Sequence, residues 1–213
     1  MGCMLCFISQ IVRAQHPLMV SYVEHPAVTK KYMPVVKAMY QEANIDTKLF
    51  LVNNSPRSVK ALNEGFFDAD IGKILSSIKG QENIIYVPTP IASVSLYLIC
   101  RKQVVCDKKV LDDNKSIIAS RFNREMLTNI LPIRASISQI LSQQRINKML
   151  RIGRVNYSLV ADDSDQGDAR FHNEFQVIEV SRENYYHILH RKHRHLISRL
   201  DAALIKVLTE GLH

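Results

Sequence analysis

The run Ser58-Val-Lys-Ala-Leu-Asn-Glu-Gly-Phe-Phe-Asp-Ala-Asp-Ile-Gly72 constrains this chain more than any other stretch. Val59 and Leu62 stand three apart, so they share one face of a helix, and Gly65 sits where a helix stops in the left-handed conformation. Asp68 to Ile71 then reads as a strand entering a buried sheet. Helix, glycine, strand is the return half of a crossover in a parallel sheet. The order recurs downstream. Leu62-x-x-Gly65-x-x-Asp68-Ala69 is matched by Leu150-x-x-Gly153-x-x-Asn156-Tyr157, with a strand predicted from Val155 to Val160. Two such units predict two α/β lobes built alike, with something held between them.

The flanking pattern fits. Leu18 to Val23 is predicted as a first strand, ending at Glu24-His25-Pro26. Thr29 is placed to cap a helix running to Ala43, with Met33, Val36, Met39, Tyr40 and Ala43 on its buried face. Asp46 to Val52 reads as a second strand, after which Ser55 is a good N-cap and Pro56 a good first helical residue. Ile84 to Val87 and Ser93 to Cys100 are further strands, and Arg101-Lys-Gln103 is the expected crossing point into the second lobe. That lobe is expected to hold a strand from Ser116 to Ser120, a helix from Asn123 to Ile130, and Pro132 as breaker. A second helix from Ser136 or Ser138 to Leu150 would turn Ile137, Ile140, Leu141 and Met149 inward. Ala161 to Asp168 is a polar loop, and Phe175 to Val180 and Tyr185 to Leu189 are two more strands. Leu196, Leu200, Ala203, Leu204, Val207 and Leu208 then mark an amphipathic helix stopped by Gly211. The fold class is α/β: two Rossmann-like lobes joined by crossover strands, with no Gly/Ser tether between them.

The chain is long enough, at 213 residues, for one large domain or two small lobes. Its net charge is +8, and Arg13 is the one charge in the first 14 residues, so a chain starting at Gln15 carries 8 − 1 = +7. The basic residues form no long block, which argues against a nucleic-acid footprint. Cys3 to Val12 is apolar apart from Ser9 and Gln10, and Val12-Arg13-Ala14 places small side chains where a signal peptidase cuts, predicting residues 1–14 as a signal-like segment cleaved after Ala14. The segment is short and lacks a preceding Lys or Arg; a buried first strand or frayed terminus is the other reading. No other stretch reaches the length of a membrane span. Cys100 and Cys106 are spaced for a hairpin staple in an oxidising compartment or are two unrelated buried thiols.

The order of elements resembles a bacterial periplasmic solute-binding protein of the type II fold, and more narrowly the family 3 extracellular binding proteins that serve ABC transporters. Leu62-Asn-Glu-Gly65-Phe-Phe-Asp68-Ala, Leu150-Arg-Ile-Gly153-Arg-Val-Asn156-Tyr, and the closing Tyr186-His-Ile-Leu-His with Leu196 to Gly211 carry the likeness, across essentially everything after Gln15. The resemblance implies a monomeric exported protein that binds a small molecule in the periplasm and docks on a transporter permease. The paired Leu-x-x-Gly units predict lobe 1 from residues 15–100 plus 185–213 and lobe 2 from residues 101–184. The resemblance also shows departures. The family's Thr-x-x-Arg segment after the first Asp-Ala strand is replaced by Ile71-Gly-Lys-Ile-Leu-Ser-Ser-Ile-Lys79, and the position of its ammonium-binding aspartate is Ala161, with Asp162 one further on.

In an open parallel sheet, ligands sit beyond the carboxyl ends of the strands. That rule selects Glu24 and His25, Ser55 and Arg57, and Gly72 and Lys73 in the first lobe. In the second it selects Ser120, Arg121, Phe122 and Asn123, where a helix start offers backbone N–H groups, and Asp162 and Asp163 after a later strand. Arg57 or Arg121 can grip a carboxylate bidentately and Phe122 can stack on a flat ligand. The expected ligand is a small polar anion. His187, His190, His193 and His195 straddle a strand-to-helix junction that scatters them, so no metal site is predicted. No nucleophile elbow, Walker loop, dinucleotide fingerprint or His-Glu-x-x-His occurs, so neither a cofactor nor an enzyme activity is expected. The alternatives are a sensing or orphan domain of the same fold serving a signalling partner and, less favoured, a cytosolic α/β enzyme.

Overall fold

The computed structural model describes residues 16–162, 171 and 173–211. The signal-like segment and Asp163 to Asp168 of the acidic loop lie outside these residues. In chain order the elements are β1 (Leu18–Val23), α1 (Met33–Glu42), β2 (Thr47–Val52), α2 (Ser55–Asn63), β3 (Ala69–Ile74), β4 (Ile84–Tyr86) and β5 (Ala92–Cys100). There follow β6 (Ile117–Ser120), α3 (Arg124–Ile130), β7 (Ser136–Gln139), α4 (Gln143–Arg151), β8 (Tyr157–Asp162), β9 (Gln176–His190) and α5 (Ile197–Glu210).

The strands hydrogen-bond in the order β2-β1-β3-β9-β5-β8-β6-β7, with β4 added on β9. β1 is parallel to β2 and β3, and β6 is parallel to β7 and β8. Between these two parallel sets lie β5 and β9, antiparallel to each other and to their outer neighbours. The ladder is therefore unbroken from the Gly65 unit to the Gly153 unit, while the hydrophobic core is divided. In the first half Val36, Met39 and Tyr40 of α1 and Leu200 and Leu204 of α5 cover Val20 and Ile71, and Val59 and Leu62 of α2 cover Ile188 on the opposite face. In the second half Leu98, Ile118, Leu127 and Leu159 form one cluster, and Ile99, Ile146, Leu150 and Phe175 another. Burying each such side chain contributes about 1.5–3 kcal/mol, and helices on both faces are what a near-continuously apolar parallel strand requires.

Gly65 and Gly153 end their helices with φ of +80° and +74°, a conformation natural to glycine. Cys100 and Cys106 are joined by a disulfide.

Several expectations are corrected. Thr29 does not cap a helix: its amide and hydroxyl both donate to the His25 carbonyl, and a π-helical turn over Val28–Tyr32 runs into α1. Asn54, not Ser55, caps α2, its side chain accepting from the Arg57 amide at 3.0 Å. Ser136 to Gln139 is a strand parallel to β6, and α4 starts after Ser142, whose hydroxyl accepts from the Arg145 amide. Its inward residues are Ile146 and Leu150, and Leu141 is 78% exposed. The two predicted strands near the end are one strand of 15 residues, bulged at Val180, because Leu96 faces Ser181 while Tyr97 faces Glu179. Arg101 to Gln103 is a turn at the far end of the second half and not a crossing; Leu96, Leu98 and Cys100 already pack in the second-half core, so β5 itself crosses.

Candidate ligand-binding cleft

The residues selected from the sequence end or follow β1, β2 and β3 in the first half and β6 and β8 in the second. The Cα atoms of α3 approach within 8 Å of the 3-10 turn Leu75–Ile78 that follows β3. Glu24 and His25 stand exposed after β1, with His25 tied into the start of the helical segment through its carbonyl and through Nδ1, which accepts from the Ala27 amide. Ser55 and Arg57 form the first turn of α2, and Arg57 points its exposed side chain away from the core. On the other side Ser120, Arg121, Phe122 and Asn123 form the β6–α3 turn as one hydrogen-bonded unit. Ser120 Oγ donates to the Leu159 carbonyl and accepts from the Phe122 amide, and Asn123 Oδ1 accepts from the Met126 amide at 2.8 Å. The Arg121 carbonyl accepts from Gln139, leaving its guanidinium exposed. Neither Arg57 nor Arg121 makes an ion pair among the described residues. Phe122 spends part of its surface against the second-half core. Asp162 is buried to 7% exposure opposite Ser95 of β5 and is engaged within the protein.

Lys73 departs from its expected role as a cleft cation. It is 5% exposed, and its ammonium lies 2.5 Å from Asp70 Oδ1. A bulge explains the pairing. Residues three apart on a regular strand point to opposite faces, but Asp70 faces Ile188 while Lys73 faces Tyr186, so β3 carries one extra residue at Ile71–Gly72 and both side chains fall on one face. Gly72 is required there: a Cβ would meet the Tyr185 ring at 2.6 Å and the Tyr186 carbonyl oxygen at 2.7 Å.

The histidines have separate structural duties. His187 is fully buried, its Nδ1 3.2 Å from the Ile71 carbonyl and its Nε2 2.8 Å from the Tyr40 hydroxyl. A carbonyl only accepts, so Nδ1 carries the proton and Nε2 accepts from Tyr40. Burial lowers the His187 pKa to about 4 and pushes the Tyr40 phenol up. His190 accepts the Lys192 amide, and His193 sits 2.7 Å from Asp68 Oδ1. Partial burial pulls the Asp68 carboxyl upward, but hydrogen bonds from Lys192, the Met19 amide and His193 outweigh it and hold its pKa below the usual range. No group of three His, Cys, Asp or Glu side chains suited to a metal ion occurs among the described residues. Two surface hollows, of about 400 Å³ beside Tyr86 and Arg194 and about 250 Å³ beside Lys102 and Arg151, include none of the predicted ligand residues.

No family model matches this sequence, and no curated protein matches it. Solved structures do. The GluR0 ligand-binding core from Nostoc punctiforme in complex with L-glutamate superposes with a TM-score of 0.69 at 14% identity, over 92% of this chain and 94% of that one. The arginine-, lysine-, histidine-binding protein ArtJ of Geobacillus stearothermophilus does so with 0.62 at 15%, over 92% and 90%. The periplasmic VFT2 domain of Bordetella pertussis BvgS gives 0.61 at 13%, over 89% and 87%. This is the type II periplasmic-binding-protein fold. Within the bilobed type II fold, β5 and β9 are the strands that join the lobes. No described helix is long and apolar enough to cross a membrane.

The sequence places Arg57 and Arg121 at strand ends and Tyr40 on a buried helix face, but does not reveal the cluster of Asp70, Ser21 and Ser58 or the hydrogen bond between Tyr40 and His187. The one available signal for the Asp70–Lys73 pair was Gly72, since glycine inside a strand marks a bulge or a close backbone approach.

Proposed function

We propose that this chain is a non-enzymatic solute-binding module that captures a small polar anion between its lobes and delivers it to an ABC-transporter permease. The lobes are residues 15–100 plus 185–213 and residues 101–184, with β5 and β9 as shared hinge strands. The mature protein is a periplasmic monomer beginning at Gln15, which intact-mass analysis of exported material checks directly. One observation carries the ligand reading: Arg57 after β2 and Arg121 after β6 are exposed guanidinium groups at the carboxyl ends of the sheet, without ion pairs among the described residues. Such groups take carboxylates or phosphates bidentately. Ser120, Phe122 and Asn123 shape the Arg121 turn, while Ser55, Glu24 and His25 line the rim opposite. Closure over a ligand held from both sides converts binding into a shape that a membrane partner reads.

A melting screen of organic acids, amino acids, sugars and polyamines tests this. Ligand at a hundredfold excess over its Kd adds about 2.7 kcal/mol, and each kcal/mol moves the midpoint of a chain this size by roughly 2–4 °C. The expected best hit is an anion whose shift falls in both Arg57→Ala and Arg121→Ala. A cation or neutral sugar as best hit, or a shift that survives both substitutions, sinks the reading. The fold shared with the BvgS domain and the GluR0 core favours a second reading, in which the same cleft reports its ligand to a signalling partner. The gene neighbourhood separates the two: a permease and ATPase encoded beside this chain mean transport, and a kinase there means sensing.

A further inference from the structure

Beneath the first turns of α2 lies a polar cluster that the anion reading leaves unused. Asp70 is 1% exposed and uses all its acceptor capacity inside the protein. Its Oδ1 accepts from the Lys73 ammonium and from the Gly72 amide at 3.1 Å; its Oδ2 accepts from Ser21 Oγ at 2.8 Å and from Ser58 Oγ. The Lys73 ammonium donates a second bond, 3.1 Å, to the Gly72 carbonyl. A buried carboxylate and a carbonyl converging on an NH3+ group are the chemistry of an ammonium-binding site, with two hydroxyls fixing the carboxylate. The occupant here belongs to the chain itself.

We infer that Asp70 and the Gly72 carbonyl form an ammonium site filled by Lys73, so that the first lobe has no buried counter-ion for a ligand amine and the cleft selects acids over the corresponding amino acids. The ligand-class half of this inference rests on the anion reading above; the ammonium site does not. Glu24, at the same rim, is exposed, where water screens an ion pair to little effect.

The decisive experiment truncates the occupant. Lys73→Ala removes the stem and ammonium and leaves Asp70 with its donors, so free propylammonium should raise the melting midpoint of this variant by several degrees. Wild type, and Lys73→Ala combined with Asp70→Asn, should not respond; nor should Lys73→Ala respond to tetramethylammonium, which has no N–H to donate. An equal response in the single and double variants, or to both cations, overturns the site. Should Lys73→Ala fold poorly, refolding yield is read instead. Yield that depends on propylammonium supports the site, and yield indifferent to it refutes it. For ligand class, wild type is melted with the matched pairs acetate and glycine, succinate and aspartate, glutarate and glutamate. Larger shifts for the acids are expected, and equal or larger shifts for the amino acids overturn the selection. Wild type answering to no anion at all sinks the anion reading, while the propylammonium arm still judges Lys73.

Discussion

The first-half unit around Gly65 and the second-half unit around Gly153 share a backbone and differ in what they bury. Three residues after each glycine comes a side chain that ties the unit to the segment beyond a crossing strand. Asp68 holds Lys192 and His193 after β9, and Asn156 accepts from Arg101 after β5 at 3.3 Å. Five residues after each glycine the units part. Asp70 pairs across the ladder with Ser21, under Ser58 of α2; the corresponding residues are Ser158, Ala119 and Ile146. Ser158 Oγ is buried with no hydrogen-bond partner among the described residues. Eight residues after the glycines, Lys73 corresponds to Ala161. One half therefore builds this layer from an ion pair and two hydroxyls, and the other from aliphatic packing. The backbone tolerates both, so the polar version is not a demand of the fold.

That contrast can be broken by substitution. Lys73→Ala should cost the largest amount, about 3–5 kcal/mol in urea unfolding, because it strands a buried charge. Replacing both partners, as Lys73→Met with Asp70→Asn, should recover most of it; a double variant as unstable as the single one would mean that packing and not charge is at stake. Acid is the next lever. His187 has a folded pKa of about 4, against an ordinary value of 6.5, so its contribution is complete above pH 6.5 and is lost as pH falls towards 4. The loss reaches about 3 kcal/mol at the low end of that window. Asp68, whose pKa is lowered, adds its own loss only below its ordinary 3.8. The second half has no histidine among its described residues, so amide exchange at pH 4.5 should accelerate in the first half first, and His187→Gln should flatten the profile. Reducing the Cys100–Cys106 bridge in the second half closes no long loop and should cost about 2 kcal/mol, read as a shift in unfolding midpoint. The smallest effects are expected at the two buried serines. Ser58→Ala removes a donor to a buried carboxylate and should cost about 1.5 kcal/mol, while Ser158→Ala removes an unpartnered hydroxyl and should be neutral or slightly stabilising. Equal effects would erase the distinction between the halves.

Much of the fold was legible because it is written in local periodicity. Val59, Leu62 and Gly65 mark a helix and its stop without reference to the rest of the chain, as do Leu200, Leu204 and Gly211 for α5. Ser136 to Gln139 was misread because Ile137 and Ile140 stand three apart, a spacing that suits a helix face; pairing with the open edge of β6 decides for strand. Polar Ser181 to Asn184 hid the continuity of β9, since those residues are held by β5 and not by their own pattern. The exposed arginines of the cleft follow from strand ends and needed no tertiary knowledge. Lys73 was misplaced because its direction depends on a bulge, and a bulge is a property of two strands that are more than a hundred residues apart in sequence.

The position of β9 has a consequence for how the chain comes into being. Residues 185–190 pair with β3 and β4, so the first half of the sheet does not acquire its inner partner until nearly nine-tenths of the polypeptide exists, whereas β8 finds β5 and β6 by residue 162. Such non-local pairing slows folding. A nascent chain halted at residue 162 should therefore leave β1, β2 and β3 protease-sensitive, and the first half should acquire resistance in one late step, once Tyr185 to His190 have been made.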